Sequence, residues 1–453
     1  MIHKYKLDGK NIVLDVHSGG VHVVDDLCYD LLDYAQPPFS DEMLTKAKAG
    51  LSGSYSAEDI EECFEELAEL YKQGILYSVD DYEKYTSMSV AAPIKAMCLH
   101  IAHDCNLRCE YCFASTGDFG EGRKLMSFET GKTAIDFLLE KSANRENLEL
   151  DFFGGEPLMN FDVVKQIVVY ARSKEKEYGK RFRFTITTNG LLLDDDKIDF
   201  INKEMSNVVL SVDGRKEVND RTRVRVDGTG CYDAIMPKFK RLVEKRGFEN
   251  YYVRGTFTKY NLDFSEDVFH LNSEGFDQIS VEPVVGEESN PYAITEKELP
   301  TVFDEYEKLE KRLSDARKQG NRFNFFHFML DLDQGPCAIK RLRGCGSGNE
   351  YVAITPDGDI YPCHQFVGNT DYKMGNLHDG TFDMEMKKKF ASAHIYTKEK
   401  CRSCWAKFYC SGGCNANNYI YEGDILKPHT ISCELEKKRL ECAIRLKVDE
   451  KRG

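Results

Sequence analysis

The sequence predicts an α/β protein: a partial (β/α)6 barrel of parallel strands, preceded by a small α+β unit and followed by a loop-rich region crowded with cysteines. Three observations predict it. Between residues 94 and 320, strand-like runs at 95–101, 148–153, 182–187, 208–212, 252–258 and 278–284 alternate with helical patterns such as 127–141 and 161–178. Parallel neighbours need a crossover, which a helix supplies, so this alternation builds one parallel sheet. Polar and glycine-rich residues recur directly after the strands, at Gly154, Gly155 and Glu156, at Thr188, Asn189 and Gly190, and at Asp213 and Gly214. Folds of this kind bind their ligands at that C-terminal end. After residue 320 the alternation stops, and the stretch from Cys337 to Cys442 holds nine of the sixteen cysteines.

Residues 1–85 read as a separate unit. Short strands at 4–7, 12–16 and 20–24 are broken by the turn signals Asp8-Gly9 and Ser18-Gly19-Gly20, and three helices follow. The first covers 25–34, Ser40 caps the second, and Ser56 with Asp59 opens the third in the manner of a capping box. Ile60, Cys63, Phe64, Leu67, Leu70 and Tyr71 fall on one stripe of that third helix, which Gly74 ends, so Cys63 reads as core. A β-hairpin with three helices is the pattern of a winged helix, whose common partner is DNA. The charge speaks against DNA: residues 1–85 hold seven Lys, no Arg, ten Asp and eight Glu, a net −11.

The chain as a whole has 453 residues, 42% hydrophobic and 30% charged, an ordinary globular composition. Its net charge of −15 repels nucleic acid and anionic membrane surfaces. No apolar run reaches the roughly 18 residues of a membrane span, and the start of the chain lacks a signal-peptide h-region. A cytoplasmic protein is expected, with neither nucleic acid nor membrane as partner. In a reducing compartment clustered cysteines hold metal more often than disulfides. The strongest cluster is a C-x3-C-x2-C run, Cys105, Cys109 and Cys112, with Tyr111 before its third cysteine. Three thiolates can hold three corners of a [4Fe–4S] cube and leave one iron for an external ligand. A structural zinc site takes four protein ligands, and no fourth lies nearby in the sequence.

This motif, placed directly after the first barrel strand, resembles the signature of the radical S-adenosylmethionine (SAM) superfamily. The resemblance implies that Cys105, Cys109 and Cys112 hold the SAM-binding, catalytic [4Fe–4S] cluster, with Tyr111 against the adenine. Gly154, Gly155, Glu156 and Pro157 resemble the family's GGEP motif, whose glycines let the backbone approach the methionine amino group. Ser211, Asp213 and Arg223 stand where related enzymes hold ribose and carboxylate, and Thr188 joins the expected SAM contacts. Arg223 follows Asp220 at the family's spacing, whereas Asp213 reads equally well as a helix cap or a salt-bridge partner.

Cys345 and Cys363, then Cys401, Cys404, Cys410 and Cys414 in a C-x2-C-x5-C-x3-C run, then Cys433, resemble the SPASM domain of peptide-modifying radical SAM enzymes. That resemblance implies two auxiliary [4Fe–4S] clusters, one on Cys401, Cys404, Cys410 and Cys433 and one on Cys345, Cys363 and Cys414. The second is either completed by Cys337 or left with an open iron for a substrate thiol; a zinc ribbon is the alternative for such spacings. Cys28, Cys63, Cys98, Cys231 and Cys442 fit no ligand pattern and read as buried hydrophobes.

With these likenesses the N-terminal unit resembles a precursor-peptide recognition element, which adds a leader strand to a sheet edge. The implied order is a winged-helix recognition domain at 1–85, a radical SAM barrel at 86–325 and a SPASM domain at 326–453. It resembles the maturases of six-cysteine (SCIFF) ribosomal peptides. That family implies an intramolecular thioether, or sactionine, bond between a cysteine sulfur and a carbon of another residue of a cysteine-rich precursor peptide bound through its leader. It also implies SAM, three [4Fe–4S] clusters and a reductase, flavodoxin or ferredoxin as electron donor. Carbon–carbon crosslinking, epimerising and sulfatase-maturing enzymes share the architecture; sulfatase maturases place an Asp where this chain has His364, after Cys363. An iron–sulfur scaffold that only binds peptide is the non-enzyme alternative.

Overall fold

A computed structural model describes residues 1–89, 92–332 and 341–452; Cys337 lies outside the described residues. Strands β1 (Ile2–Leu7), β2 (Lys10–Asp15) and β3 (Val21–Val24) form an antiparallel sheet in that order. Helices α1 (Asp26–Leu31), α2 (Asp41–Leu51) and α3 (Ala57–Lys72) follow. Asp25 caps α1 by accepting from the Cys28 N–H, and Ser56 caps α3 by accepting from the Asp59 N–H. Helix α1 is shorter than the sequence pattern because the chain turns at Leu32.

The run Ile12–Leu14 is apolar without alternation because β2 is covered on both faces. Val13 packs with Leu31, Ile60, Phe64 and Leu67 under the helices, whereas Ile12, Leu14 and Val16 belong to the main core of the molecule. The first 85 residues are therefore not a free-standing unit. Strand β1 lies against the C-terminal helix, where the Tyr5 hydroxyl donates to the Glu441 carbonyl at 3.0 Å.

The barrel sheet runs β10-β9-β8-β7-β6-β4, every neighbour parallel. Its strands are β4 (Ala96–His103), β6 (Asn147–Gly154), β7 (Arg181–Thr188), β8 (Asn207–Ser211), β9 (Tyr251–Phe257) and β10 (Gln278–Pro283). Short β5 (Lys124–Leu125) pairs with the end of β4. Helices α4 (Phe128–Lys141), α5 (Phe161–Tyr178), α6 (Asp195–Glu204), α7 (Lys216–Thr222), α8 (Tyr232–Lys245), α9 (Phe264–Ser273) and α10 (Leu299–Lys318) supply the crossovers and the outer wall.

The sheet does not stop at the sixth strand. Strand β11 (Asn324–Phe325) lies parallel beside β10, and β12 (Tyr351–Ile354) lies parallel beside β4 at the other edge. From β12 an antiparallel meander continues through β13 (Asp359–Tyr361), β14 (Gly375–Asn376) and β15 (Thr381–Phe382). The cysteine-rich C-terminal region thus begins as an extension of the barrel sheet. It continues through α11 (Met384–Ala391), α12 (Glu399–Arg402), α13 (Lys407–Cys410), α14 (Asn415–Glu422) and the long α15 (Thr430–Arg452), which packs on α10. Among the described residues no helix is long and apolar enough to cross a membrane.

Candidate active site

The loop after β4 carries Cys105, Cys109 and Cys112, and backbone bonds hold it from two sides. On one side the Gly155 N–H donates to the Ala102 carbonyl at 2.7 Å and the Glu156 N–H to the Asp104 carbonyl at 2.8 Å. A Cβ on Gly155 would stand 2.1 Å from that Asp104 oxygen, and one on Gly154 would stand 2.4 Å from the Ala102 oxygen. These glycines are thus required for the end of β6 to close on the cysteine loop, a constraint beyond the ligand contact expected of them. On the other side the Arg108 N–H donates to the Val224 carbonyl at 2.7 Å and the Glu110 N–H to the Thr222 carbonyl at 2.9 Å.

The three half-buried cysteines lie close together. Burial pushes the Cys105 thiol up to about 11, with the charges of Glu156 and Cys112 adding to it. Burial also pushes Cys109 up, and Arg223 pulls it partly back. A metal centre reverses this balance by holding the sulfurs as thiolates.

Glu156 is almost fully buried and accepts from the Thr188 hydroxyl (2.8 Å), the Asn189 N–H (2.8 Å) and the Leu158 N–H (3.0 Å). It braces the loop after β7, whose Asn189 Nδ2 reaches Asn106 Oδ1 at 2.8 Å and Cys105 Sγ at 3.6 Å. Burial lifts the Glu156 carboxyl to about 7. A Glu156→Gln variant turns an amide N–H2 toward donors, leaving at least one unsatisfied. It is expected to lose about 1–3 kcal/mol of stability in denaturant unfolding.

Asp213, fully buried, resolves its two sequence readings toward anchoring. Its Oδ1 pairs with Arg223 Nε at 3.0 Å and accepts from the Thr256 N–H at 2.9 Å. Its Oδ2 accepts from the Tyr111 hydroxyl at 2.6 Å and the Thr222 hydroxyl at 3.3 Å. Arg223 lies over the Tyr111 ring at 5.6 Å, and among the described residues its Nη groups make no protein hydrogen bond. An oriented guanidinium with free donors beside the cysteine loop fits a ligand carboxylate. Ser211 ends β8 half-buried on the same rim.

The C-terminal cysteines lie in two groups, Cys345, Cys363 and Cys414 in one and Cys401, Cys404, Cys410 and Cys433 in the other. Burial raises Cys363, and Cys414 and Cys345 are near enough for their charges to raise it further. Cys401 is pushed up to about 11 by burial, with Cys433 and Cys404 adding, while Cys433 and Cys401 act on Cys410. Cys401, Cys404, Cys410 and Cys433 line one cavity of about 290 Å³. Among the described residues no three His, Cys, Asp or Glu side chains form a site for a single metal ion. Groups made of thiols alone suit iron–sulfur clusters. Cys98, Cys231 and Cys442 are buried, Cys98 in the same packed cluster as Cys363, and the half-buried Cys28 and Cys63 sit side by side in the N-terminal unit.

Comparison with known proteins agrees with this geometry. The Radical SAM superfamily matches residues 99–263, and the SPASM iron–sulfur cluster-binding domain matches residues 345–405. The chain carries a radical SAM domain and a SPASM domain. This radical SAM protein is 26% identical over 329 residues to a cysteine-type anaerobic sulfatase-maturating enzyme of Clostridium novyi, covering 69% of the chain and 86% of the relative. It is 24% identical over 447 residues to the radical SAM cyclopropyl synthase TigE of Paramaledivibacter caminithermalis, covering 92% and 89%. Its fold matches the solved structure of native anSMEcpe with bound AdoMet and Kp18Cys peptide at a TM-score of 0.66 and 19% identity, over 79% of this chain and 100% of that one.

Two features of this radical SAM site escape the sequence motifs. Asn189 touches the cysteine loop, and its only sequence signal is the polar Thr-Asn-Gly run after β7. Phe113, next to Cys112, and Phe153 of β6 pack on the His364 ring at 5.4 and 5.0 Å between centroids. Because His364 follows Cys363, these rings join the barrel loop to the thiol group of Cys345, Cys363 and Cys414.

Proposed function

We propose that this radical SAM enzyme forms an intramolecular thioether in a ribosomally made, cysteine-rich precursor peptide. The observation that carries the reading is the presence on one chain of the barrel thiol group and two further thiol groups at 345–433. When bound, SAM and the cluster held by Cys105, Cys109 and Cys112 supply a 5′-deoxyadenosyl radical that takes a hydrogen atom from a peptide carbon. Tyr111 and Arg223 orient SAM, and Asp213 fixes both. Glu156 and Asn189 hold the cysteine loop in place. Cys345, Cys363 and Cys414 hold the auxiliary cluster on the His364 side, near the rings that face the barrel. A reductase, flavodoxin or ferredoxin supplies the first electron.

The N-terminal unit is read as a winged-helix recognition domain for the leader. Strand β3 is an edge strand, paired only with β2 among the described residues, and an extended leader would add there. Hydrogen exchange of the backbone amides at 21–24 is expected to slow when leader peptide is added. Protection confined to other segments removes β3 from the docking site.

The relation to TigE over nearly the whole chain favours a second reading, carbon–carbon bond formation on a peptide. The sulfatase-maturing reading is weakened by His364, where those enzymes carry a carboxylate. Alkylation separates the two crosslinking readings: thioether formation consumes a peptide thiol for each pair of hydrogens lost, and carbon–carbon bonding leaves every thiol reactive.

A further inference from the structure

Lys398, three residues before Cys401, is 1% exposed. Its ammonium donates to the Gly412 carbonyl at 2.7 Å and to Asn415 Oδ1 at 2.8 Å. Both acceptors are neutral, and among the described residues the ammonium has no carboxylate partner. Gly412 lies between Cys410 and Cys414, and a Cβ on it would come within 3.3 Å of the Lys398 Nζ. Asn415 follows Cys414 and reaches with its Nδ2 to Ser347 Oγ at 3.3 Å, two residues beyond Cys345.

The ammonium therefore sits between the two auxiliary thiol groups. Burial works against its charge and lowers its pKa, and the groups near enough to oppose this in part are Cys401 and Cys410 from one set and Cys414 and Cys345 from the other. A buried, unpaired ammonium is strongly unfavourable, so a charge placed here calls for anions beside it. Two of its three N–H donors are used by Gly412 and Asn415, which leaves one for a sulfur.

We propose that Lys398 is the shared counter-charge of the two auxiliary clusters and sets both at a higher reduction potential than their thiolates alone would give. The inference rests on the reading of Cys345, Cys363, Cys401, Cys404, Cys410, Cys414 and Cys433 as ligands of two clusters. Each added electron increases the negative charge of a cluster, and a fixed cation close by favours that reduced state. Joining a peptide S–H to a peptide C–H removes two hydrogens. One would leave as a hydrogen atom to the radical that bound SAM supplies; the other would leave as a proton from the thiol, and the remaining electron needs an acceptor, which an auxiliary cluster held by these cysteines would supply. Lys398 favours that electron uptake.

The test compares wild type, Lys398→Met and Lys398→Arg, each full-length and reconstituted anaerobically with iron and sulfide, by iron content and by redox titration followed with electron paramagnetic resonance. At the potential where the wild-type auxiliary clusters are half reduced, the Met variant is expected to show about a tenfold lower ratio of reduced to oxidised cluster, a shift of about −59 mV for a one-electron couple. The Arg variant should restore most of it, and the SAM-binding cluster should not shift. Loss of auxiliary iron in Met but not in Arg also supports the proposal, because the charge is then needed for assembly. Unchanged potentials in a fully loaded Met variant overturn it, as does loss of iron in both variants, which assigns Lys398 to packing. A wild-type chain that takes up a single cluster refutes the underlying reading instead, before any variant is compared.

Discussion

Replacing Cys105, Cys109 and Cys112 together with Ala is expected to abolish SAM cleavage and to leave the C-terminal clusters in place. Three clusters of four irons amount to about twelve irons per reconstituted chain, and the triple variant should keep about eight. The separation follows from the fold. The barrel thiols sit on the loop after β4, whereas the other groups are carried by the segments around β12, β13 and α12 to α15. The cleavage effect is expected to be total, because Cys105, Cys109 and Cys112 are the residues that would hold the cluster supplying the electron to SAM. Cleavage that survives the triple change refutes the catalytic site; iron that falls to zero shows that the auxiliary groups depend on the barrel loop for assembly.

Asp213→Ala should have the second-largest effect, through stability and SAM binding together. The Asp213–Arg223 pair is almost wholly out of solvent, and losing one member leaves a buried guanidinium without a counter-charge. Breaking such a pair costs about 3–5 kcal/mol. The Tyr111 and Thr222 hydroxyls lose their acceptor at the same time, so the loop that orients Arg223 loosens. Denaturant unfolding should show the loss of stability, and calorimetry should show SAM binding lost. The double change Asp213→Ala with Arg223→Met should recover the part of the stability lost to the unpaired guanidinium, not the part lost with the Tyr111, Thr222 and Thr256 hydrogen bonds, and none of the binding. Undiminished SAM affinity in the single variant places Arg223 outside the SAM site.

The barrel was legible because each strand is short, bounded by turn residues and followed by a helix of the right period; the strands lie within two residues of the pattern. The cysteine runs stood out because their close local spacing is visible in the sequence, while the division of the C-terminal cysteines into two sets came from the family resemblance. Pairing between β12 and β4 was not, since Tyr351–Ile354 is a four-residue run whose partner lies some 250 residues earlier and leaves no local trace. The attachment of the N-terminal sheet also escaped the pattern. Ile12, Leu14 and Val16 show only that a second face is covered, not that the main core of the molecule covers it. Asp213 was ambiguous because an acidic residue after a strand can meet a ligand or an arginine, and only its four partners decide. Lys398 carried no signal, as a lysine among charged neighbours reads as solvated until its burial is seen.

The most direct test of a thioether-forming radical SAM maturase is mass spectrometry of a leader-bearing, six-cysteine precursor peptide after anaerobic incubation with the reconstituted protein, SAM and dithionite, followed by thiol alkylation. The account predicts loss of two hydrogens per crosslink, one fewer alkylated cysteine for each, and 5′-deoxyadenosine formed in step. A peptide that loses hydrogens while every cysteine stays alkylatable, or an unchanged peptide with no 5′-deoxyadenosine, would contradict it.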